Sequence, residues 1–426
     1  MVAMIKRPAA ALLIAGVLVL PAVADADQRS GHPKAARPNP TLYGFEPLTP
    51  WRQPPLSLPA AKPRSWLGLA LAGIRQAGRF RSRGWFCEYL HCTHGPYPLA
   101  TIWGTVGLFE ALDAIALADP SSENLQALNR FALRAERFWD PAVGGYAPYI
   151  GDRGSDVTVW FDDNGWLGLA FLNAWRATHN PRYLADAQRA FKFIFENGWD
   201  RAGGGMWWNT THPYHSGPAL ASDSLLGALL YEEDRESWQI EAVKEWVDWA
   251  NENDNHDERQ LYLEFPNQPQ SVIDYVQAPL IYAQYLLCKD GFGQQYCTQA
   301  GRVAATMVER HATKEGFRYN FGPQYDAIWL QWMMAYGEAT GQTYWLHLAE
   351  VNGDAAAAHA KEGGIYLGSW WGGPIRDPET HPLMLRTVGA TTSLFAWLAL
   401  YTSPRARLAI GPVAATAQRG SLPARR

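Results

Sequence analysis

The chain is expected to fold as an all-α protein, an (α/α)6 barrel of six helical hairpins. Three observations predict this. Helical runs of two kinds alternate six times, one kind amphipathic and the other apolar nearly all round. The links alternate as well, short turns in one direction and long Gly- and Trp-rich stretches in the other. A hydrophobic share of 47% is ample for the large core that a double ring of helices encloses.

The amphipathic, outer runs fall near residues 64–80, 121–139, 181–197, 236–252, 294–311 and 343–360. In Pro181 to Asn197, for example, Leu184, Ala187, Phe191, Ile194 and Phe195 share one face, and Asp186, Arg189, Lys192 and Glu196 the other. The inner runs fall near 98–118, 162–178, 217–231, 273–289, 325–340 and 387–401. Trp166 to Trp175 and Ala219 to Leu230 are so apolar that they must be covered on most sides. A stacked solenoid of helix pairs would leave such faces open, so closure into a barrel is favoured. Inner-to-outer turns carry stop and start signals: Asn180 before Pro181, Asp290 to Gly293, and Gly341 with Gln342. The long outer-to-inner links then gather at one rim, beside the N-termini of the inner helices, where a rigid scaffold presents functional loops.

The flanks read differently. Lys6 and Arg7, an apolar run from Ala9 to Val23 and small residues at Ala22, Ala24 and Ala26 predict a signal peptide over 1–26, cleaved after Ala24 or Ala26. The mature protein is thus expected to be secreted or periplasmic, with no membrane contact. Nine prolines between Gln28 and Pro63 make 27–63 an extended arm, and the barrel should occupy 64–403. A polar, basic tail, 404–426, is expected to be disordered. Four cysteines in an exported chain predict local disulfides, Cys87 with Cys92 and Cys288 with Cys297, over a zinc site using Cys87, Cys92, His91 and His94. A net charge of −4 argues against a nucleic-acid partner.

The chemistry is carried by Asp162 and Asp163, in Trp160-Phe-Asp-Asp-Asn-Gly-Trp166 at the mouth of an inner run. Two carboxylates among aromatic faces are what glycosidic-bond cleavage needs, one to protonate the leaving oxygen and one to attack the sugar or activate water. Either aspartate would also serve as an N-cap. Neighbours on a regular helix point about 100° apart, so one of the two is expected to precede the helix proper. The rim links supply Trp160, Trp207, Trp208, Trp370 and Trp371 as stacking faces, with Asn209, Tyr319 and Asn320 for sugar hydroxyls. No cofactor or metal is implied, and the expected partner is a polysaccharide or oligosaccharide bound by a monomer.

The run Phe161-Asp-Asp-Asn-Gly-Trp-Leu-Gly-Leu-Ala170, then Gly203-Gly-Gly-Met-Trp-Trp208, Gly217-Pro-Ala-Leu-Ala221 and Tyr319-Asn-Phe-Gly322, resembles glycoside hydrolase family 76 in order and spacing from about residue 65 to 400. The resemblance implies an (α/α)6 barrel and a retaining endo-α-1,6-mannanase, with wall-remodelling transglycosylases as fungal relatives. It implies Asp162 as nucleophile and Asp163 as general acid/base. The chain departs from the pattern just before the third inner helix, where an Asn is expected and Tyr214-His-Ser216 stands. The tail lacks the hydrophobic end of a lipid-anchor signal, unlike the anchored fungal type.

Other residues leave alternatives open. A non-catalytic glycan-binding protein would keep the aromatics and not need both aspartates. An epimerase or lyase would need a proton shuttle, for which His212, His215 and Tyr319 are candidates. Asn253-Asp-Asn-His-Asp-Glu258 lacks the spacing of a calcium loop and reads as solvated charge. Asp223, Asp274 and Asp326 either cap inner helices or line the cleft, and Asn209-Thr-Thr211 matches a glycosylation sequon.

Overall fold

Each helix begins and ends where local chemistry dictates. Thr101 and Ser216 precede two inner helices, and their hydroxyls accept the amides of Gly104 at 2.9 Å and Ala219 at 3.3 Å. Asn180 does the same for Arg182 at 3.1 Å, with Pro181 opening the helix behind it. His179, Arg235 and Gly341 close inner helices in the left-handed conformation. Each is followed by one residue and then the next outer helix, so these hairpins turn within two residues.

The computed structural model describes residues 58–92, 99–253, 261–266, 271–310, 318–373, 375 and 383–403. The signal segment, nearly all of the Pro-rich arm, the Asn253–Glu258 stretch beyond Asn253, and the basic tail lie outside them. Twelve helices are described: α1 (Trp66–Ala77), α2 (Ile102–Ala118), α3 (Ser122–Ala135), α4 (Phe161–Thr178), α5 (Pro181–Asn197), α6 (Gly217–Asp234), α7 (Ser237–Glu252), α8 (Asp274–Lys289), α9 (Gln294–Arg310), α10 (Pro323–Thr340), α11 (Thr343–His359) and α12 (Leu385–Thr402). The even-numbered helices form the inner ring. Each packs on the next, and α12 returns to α2 to close it. The odd-numbered helices cover them from outside, so the expected (α/α)6 barrel is the observed fold.

Closure at α2 and α12 depends on backbone approach. A Cβ on Gly389 would stand 2.9 Å from the Leu108 nitrogen, and one on Gly107 3.1 Å from the Ala390 nitrogen. Glycine is required here because the obstacle is main chain, which cannot rotate away. Among the described residues no helix is long and apolar enough to cross a membrane. Both expected disulfides are present, Cys87–Cys92 and Cys288–Cys297.

Three small hairpins on the long links were not anticipated: β1 (Arg81–Ser82) with β2 (Trp85–Phe86), β3 (Trp139–Asp140) with β4 (Gly145–Tyr146), and β5 (Lys361–Glu362) with β6 (Ile365–Tyr366). Two of them turn on consecutive residues at positive φ, Arg83 with Gly84 and Gly363 with Gly364. That is the backbone a tight two-residue hairpin requires.

Two inner helices anchor their incoming links by the same device. Asn164, fourth in α4, accepts the Tyr146 amide at 2.8 Å and donates to the carbonyls of Tyr146 at 3.0 Å and Trp160 at 2.8 Å. Gln277, fourth in α8, does likewise with Tyr262 at 2.9 and 2.7 Å and Ile273 at 3.1 Å. A buried side-chain amide thus satisfies main-chain groups that the irregular link leaves unpaired. It also holds the first turn of α4 in place.

Gly389→Ala tests the closure. Replacing a helical glycine by alanine ordinarily gains up to about 1 kcal/mol from backbone entropy. Here overpacking should outweigh that gain with a net loss of about 1–3 kcal/mol, read as a lower denaturation midpoint with unchanged slope. A midpoint that rises would show that the α2–α12 seam has slack.

Candidate active site

The first turn of α4 carries Asp162 and Asp163 as its second and third residues, both half-buried. Trp160 is the residue preceding the helix, so neither aspartate is the N-cap. The expectation that one of them lies before the helix is corrected: both have entered it. Instead of a conformational break, a hydrogen bond distinguishes them, since Asp162 Oδ1 accepts the Asp163 amide at 3.0 Å.

A second link completes the setting. Residues 159–161 run beside residues 208–210: the Phe161 amide donates to the Trp208 carbonyl at 3.0 Å, the Thr210 amide to Val159 at 3.0 Å, and the Val159 amide to Thr210 Oγ1 at 3.1 Å. This pairing brings the Trp208 indole N–H onto the Asp162 carboxylate. Trp160 meets Trp208 edge to face, with ring centroids 6.1 Å apart.

The two carboxyl groups differ electrically. Burial raises Asp162 to about 7, and the Asp163 amide and Trp208 indole oppose the rise by donating to its ionised form. Asp163 is pushed well above the carboxylate range by burial, by the negative charge of Asp162 and by that of Glu88. The proton of the pair therefore rests on Asp163 and the charge on Asp162, helped by the positive end of α4. That is the division of labour a nucleophile and an acid require.

Sequence reasoning missed Glu88. It is 5% exposed, accepts the Thr101 amide at 3.0 Å and hydroxyl at 3.3 Å, and sits where a Cβ on Gly104 would be. The available signal was that it is the one acid between Trp85 and Tyr97, inside the Cys87–Cys92 loop. Asp223 also faces the pair from below: a Cβ on Gly165 would stand 2.3 Å from its Oδ1, and its burial raises it well above the usual range. Asp274 and Asp326, from adjacent inner helices, are both raised, first by burial, with the Asp326 charge raising Asp274 further and Asp326 lying at about 7. Neither is a simple cap, because both are buried in the ring. Among the described residues no group of three or more His, Cys, Asp or Glu is arranged to hold a metal ion.

The other expected site residues divide. Trp160 and Trp208 adjoin the pair. Trp207, next along the same extended strand, faces the opposite way and is enclosed by His212 at 5.1 Å and His215 at 4.3 Å between ring centroids. Asn209 is buried, its oxygen accepting the Thr211 amide at 2.9 Å and hydroxyl at 2.7 Å, so that oxygen is committed within its own loop. Tyr319 is fully buried against Trp329, and Trp370 is buried with its indole donating to Thr391 at 2.9 Å. Those two expectations are corrected: they are core residues. Asn320 and Trp371 stay half-buried, the first accepting Ser369 at 3.0 Å and the second donating to Asn352 at 3.2 Å under the Arg318 guanidinium. Between inner helices lies a small cavity of about 30 Å³, lined by Trp103, Glu110, Trp166, Gln324 and Arg386 among others.

With the aspartate pair at the head of α4 in view, the chain can be placed among known proteins. Residues 138–287 match the family model for glycosyl hydrolase family 76. The match covers the Asp162–Asp163 turn and the Trp207–Trp208 hairpin, and the likeness to family 76 read from the sequence holds. No curated protein matches the chain. Among solved structures, a family 76 α-mannanase from Bacteroides thetaiotaomicron superposes with a TM-score of 0.68 at 19% identity, over 79% of this chain and 94% of that one. An α-1,6-mannanase from Salegentibacter sp. HEL1_6, as an inactive variant altered at two consecutive aspartates and bound to an α-1,6-mannotetraose, gives 0.65 at 16% identity, over 79% and 100%. A cellobiose 2-epimerase from Bacillus thermoamylovorans gives 0.55 at 12% identity, over 77% and 99%. These likenesses establish the shared fold.

Two outcomes follow from the electrostatics. Replacing Glu88 by Gln keeps acceptors for Thr101 and removes the charge that raises Asp163, so the basic limb of the kcat/KM profile should move to lower pH. An unmoved limb would separate Glu88 from the pair. The many raised acids also make stability depend on pH. Glu110 and Asp326, each at about 7, and Asp186 at about 6 hold protons in the folded chain that the unfolded chain releases above about pH 4. Stability should fall as pH rises from about 4 to beyond 7, giving a higher Tm at pH 5 than at pH 8 by calorimetry.

Proposed function

We propose that this chain is an exported, retaining glycoside hydrolase that cleaves α-mannan within the chain at α-1,6 linkages. The observation that carries the reading is the unlike pair at the head of α4: Asp162, supplied with donors by Asp163 and Trp208, acts as nucleophile, and Asp163, denied them and faced by two negative charges, acts as acid and then base. In the first step the Asp163 proton passes to the glycosidic oxygen while Asp162 bonds to the anomeric carbon. In the second, Asp163 takes a proton from water as that water displaces Asp162.

The family match and the mannan-degrading neighbours support the substrate class. The leader-like residues 1–26 and two disulfides support export, and a monomer is the form proposed. An epimerase would need a His or Tyr shuttle at the pair, and Tyr319 is buried against Trp329. His215 instead binds Asp200 at 3.2 Å and encloses Trp207 on the far face of its hairpin.

The test is incubation of purified protein with α-1,6-mannan and with other α-glycans, products read by chromatography and the first-formed anomer by NMR. Internal α-1,6 cleavage with retained configuration is expected, and inversion or inertness on mannan overturns the reading. Asp162→Asn and Asp163→Asn should each lower kcat by about 10²–10⁴-fold or more while leaving Tm within a few degrees. Asp163→Asn should still release a burst from a substrate with a good leaving group, and absence of any burst would favour exchanged roles.

A further inference from the structure

Tyr214 lies in the short stretch where this chain departs from the family 76 pattern, just before α6. It is 39% exposed, and among the described residues it and Leu133 are the exposed large apolar side chains. Leu133 sits on outer helix α3, whereas Tyr214 is at the rim. Its ring stacks on Trp208 with centroids 5.1 Å apart and planes 20° apart, and Phe265 from the next link meets it at 5.5 Å and 81°. The Tyr214 carbonyl accepts the Trp208 amide at 3.1 Å, so main chain as well as rings fixes the two together. Trp208 in turn holds Asp162.

A continuous aromatic wall therefore leaves the aspartate pair: Trp160 and Trp208, then Tyr214, then Phe265, contributed by three successive rim links. The rings pack on one another, edge to face at 79° and 81° and stacked at 20°, so they form one braced cluster that begins at the aspartate pair and reaches solvent at Tyr214. An exposed aromatic ring held rigidly at that end of the cluster suits a sugar of the same substrate molecule lying beyond the pair. We infer that Tyr214, with Phe265 beside it, forms an outer sugar-binding subsite beyond those at the aspartate pair, which makes this enzyme prefer longer mannan chains. The inference rests on the mannanase reading given above. The subsite takes an uncharged hexose unit of the chain being cleaved and no separate ligand.

The experiment compares wild type, Tyr214→Ala and Tyr214→Phe on linear α-1,6-mannose oligosaccharides of increasing length, from the disaccharide to the hexasaccharide. With wild type, kcat/KM should climb with length. In Tyr214→Ala the climb should flatten, with kcat/KM on the longest oligosaccharide lower by about five- to tenfold, mainly through KM, and little change on the shortest cleaved one. Tyr214→Phe keeps the ring and should keep the climb. Equal loss at every length in Tyr214→Ala, or an unchanged climb, overturns the subsite while the mannanase reading stands. Wild-type inertness on all α-1,6-mannose chains overturns both. Tyr214→Ala should melt within a few degrees of wild type, and if it does not, loss of the climb in Phe265→Ala with Tm retained supports the wall, while its persistence there overturns it.

Discussion

The pairing of residues 159–161 with 208–210 is the constraint on which the site depends. Asp162 and Asp163 are adjacent in sequence, share one helix turn and are buried to similar degree, so nothing in α4 alone makes them unequal beyond one backbone bond. The indole that breaks the symmetry arrives from another link, and it arrives in register only because the Phe161 amide binds the Trp208 carbonyl and Thr210 binds Val159 on either side. A slip of one residue would exchange Trp208 for Trp207 or Asn209 and reverse the face presented to the carboxylate. Gly204 and Gly205, both at positive φ, let the hairpin behind this pairing turn close to Trp249 and His215, where a Cβ would collide with either ring.

The barrel itself supplies the opposing force. Closing six helices into an inner ring buries carboxyl groups that would be ionised in water, and burial is the first cause of the rise at Asp162, Asp163, Asp223, Asp274 and Asp326. All six inner helices point their N-termini at the same rim, which moderates that penalty only within the first turn. Asp223, seventh in α6, lies beyond that reach and has Ser222 as its hydrogen-bond partner at 3.1 Å. Acids near the helix starts can thus share charge and proton between neighbours, while those deeper stay neutral. A pair that is to hold one charge and one proton, as the proposed mechanism asks, has to lie at the boundary between the two regimes, and the head of α4 is such a boundary.

Much of this was legible in the sequence, and the failures have one physical source. Helices α4, α5, α8 and α9 begin within one residue of expectation because their signals are local: Pro181 after Asn180, the polar stretch before Gln294, the switch from rim loop to apolar run at Phe161. The place of the aspartate pair at the head of an inner helix was legible for the same reason. Trp207 and Trp370 were misjudged because a tryptophan after glycines in a rim link can point either way. In an extended segment successive side chains alternate faces, and which face is the cleft is set by the partner strand. Trp207 and Trp208 share composition, neighbours and loop. They differ in parity relative to Val159. Tyr319 failed likewise, its ring committed to Trp329 by a turn that no local pattern announces.

The same parity bears on which chemistry the fold supports. A cellobiose 2-epimerase superposes on this chain at 12% identity, so the double ring of helices does not by itself choose between moving a proton and breaking a glycosidic bond. The choice falls to one hairpin, residues 199–216. On its inner face it presents Trp208 and Tyr214, an indole donor and aromatic surface next to two carboxyls. On its outer face it keeps both histidines, with His212 flat against Trp207 at 14° and His215 tied to Asp200 and edge-on to Trp249 of α7. Were the strand shifted by one residue, imidazoles would stand at the head of α4 and proton shuttling would be the better reading. In the register observed, two unlike carboxyls stand at that point, as the proposed hydrolysis needs, and the candidate shuttles are engaged elsewhere.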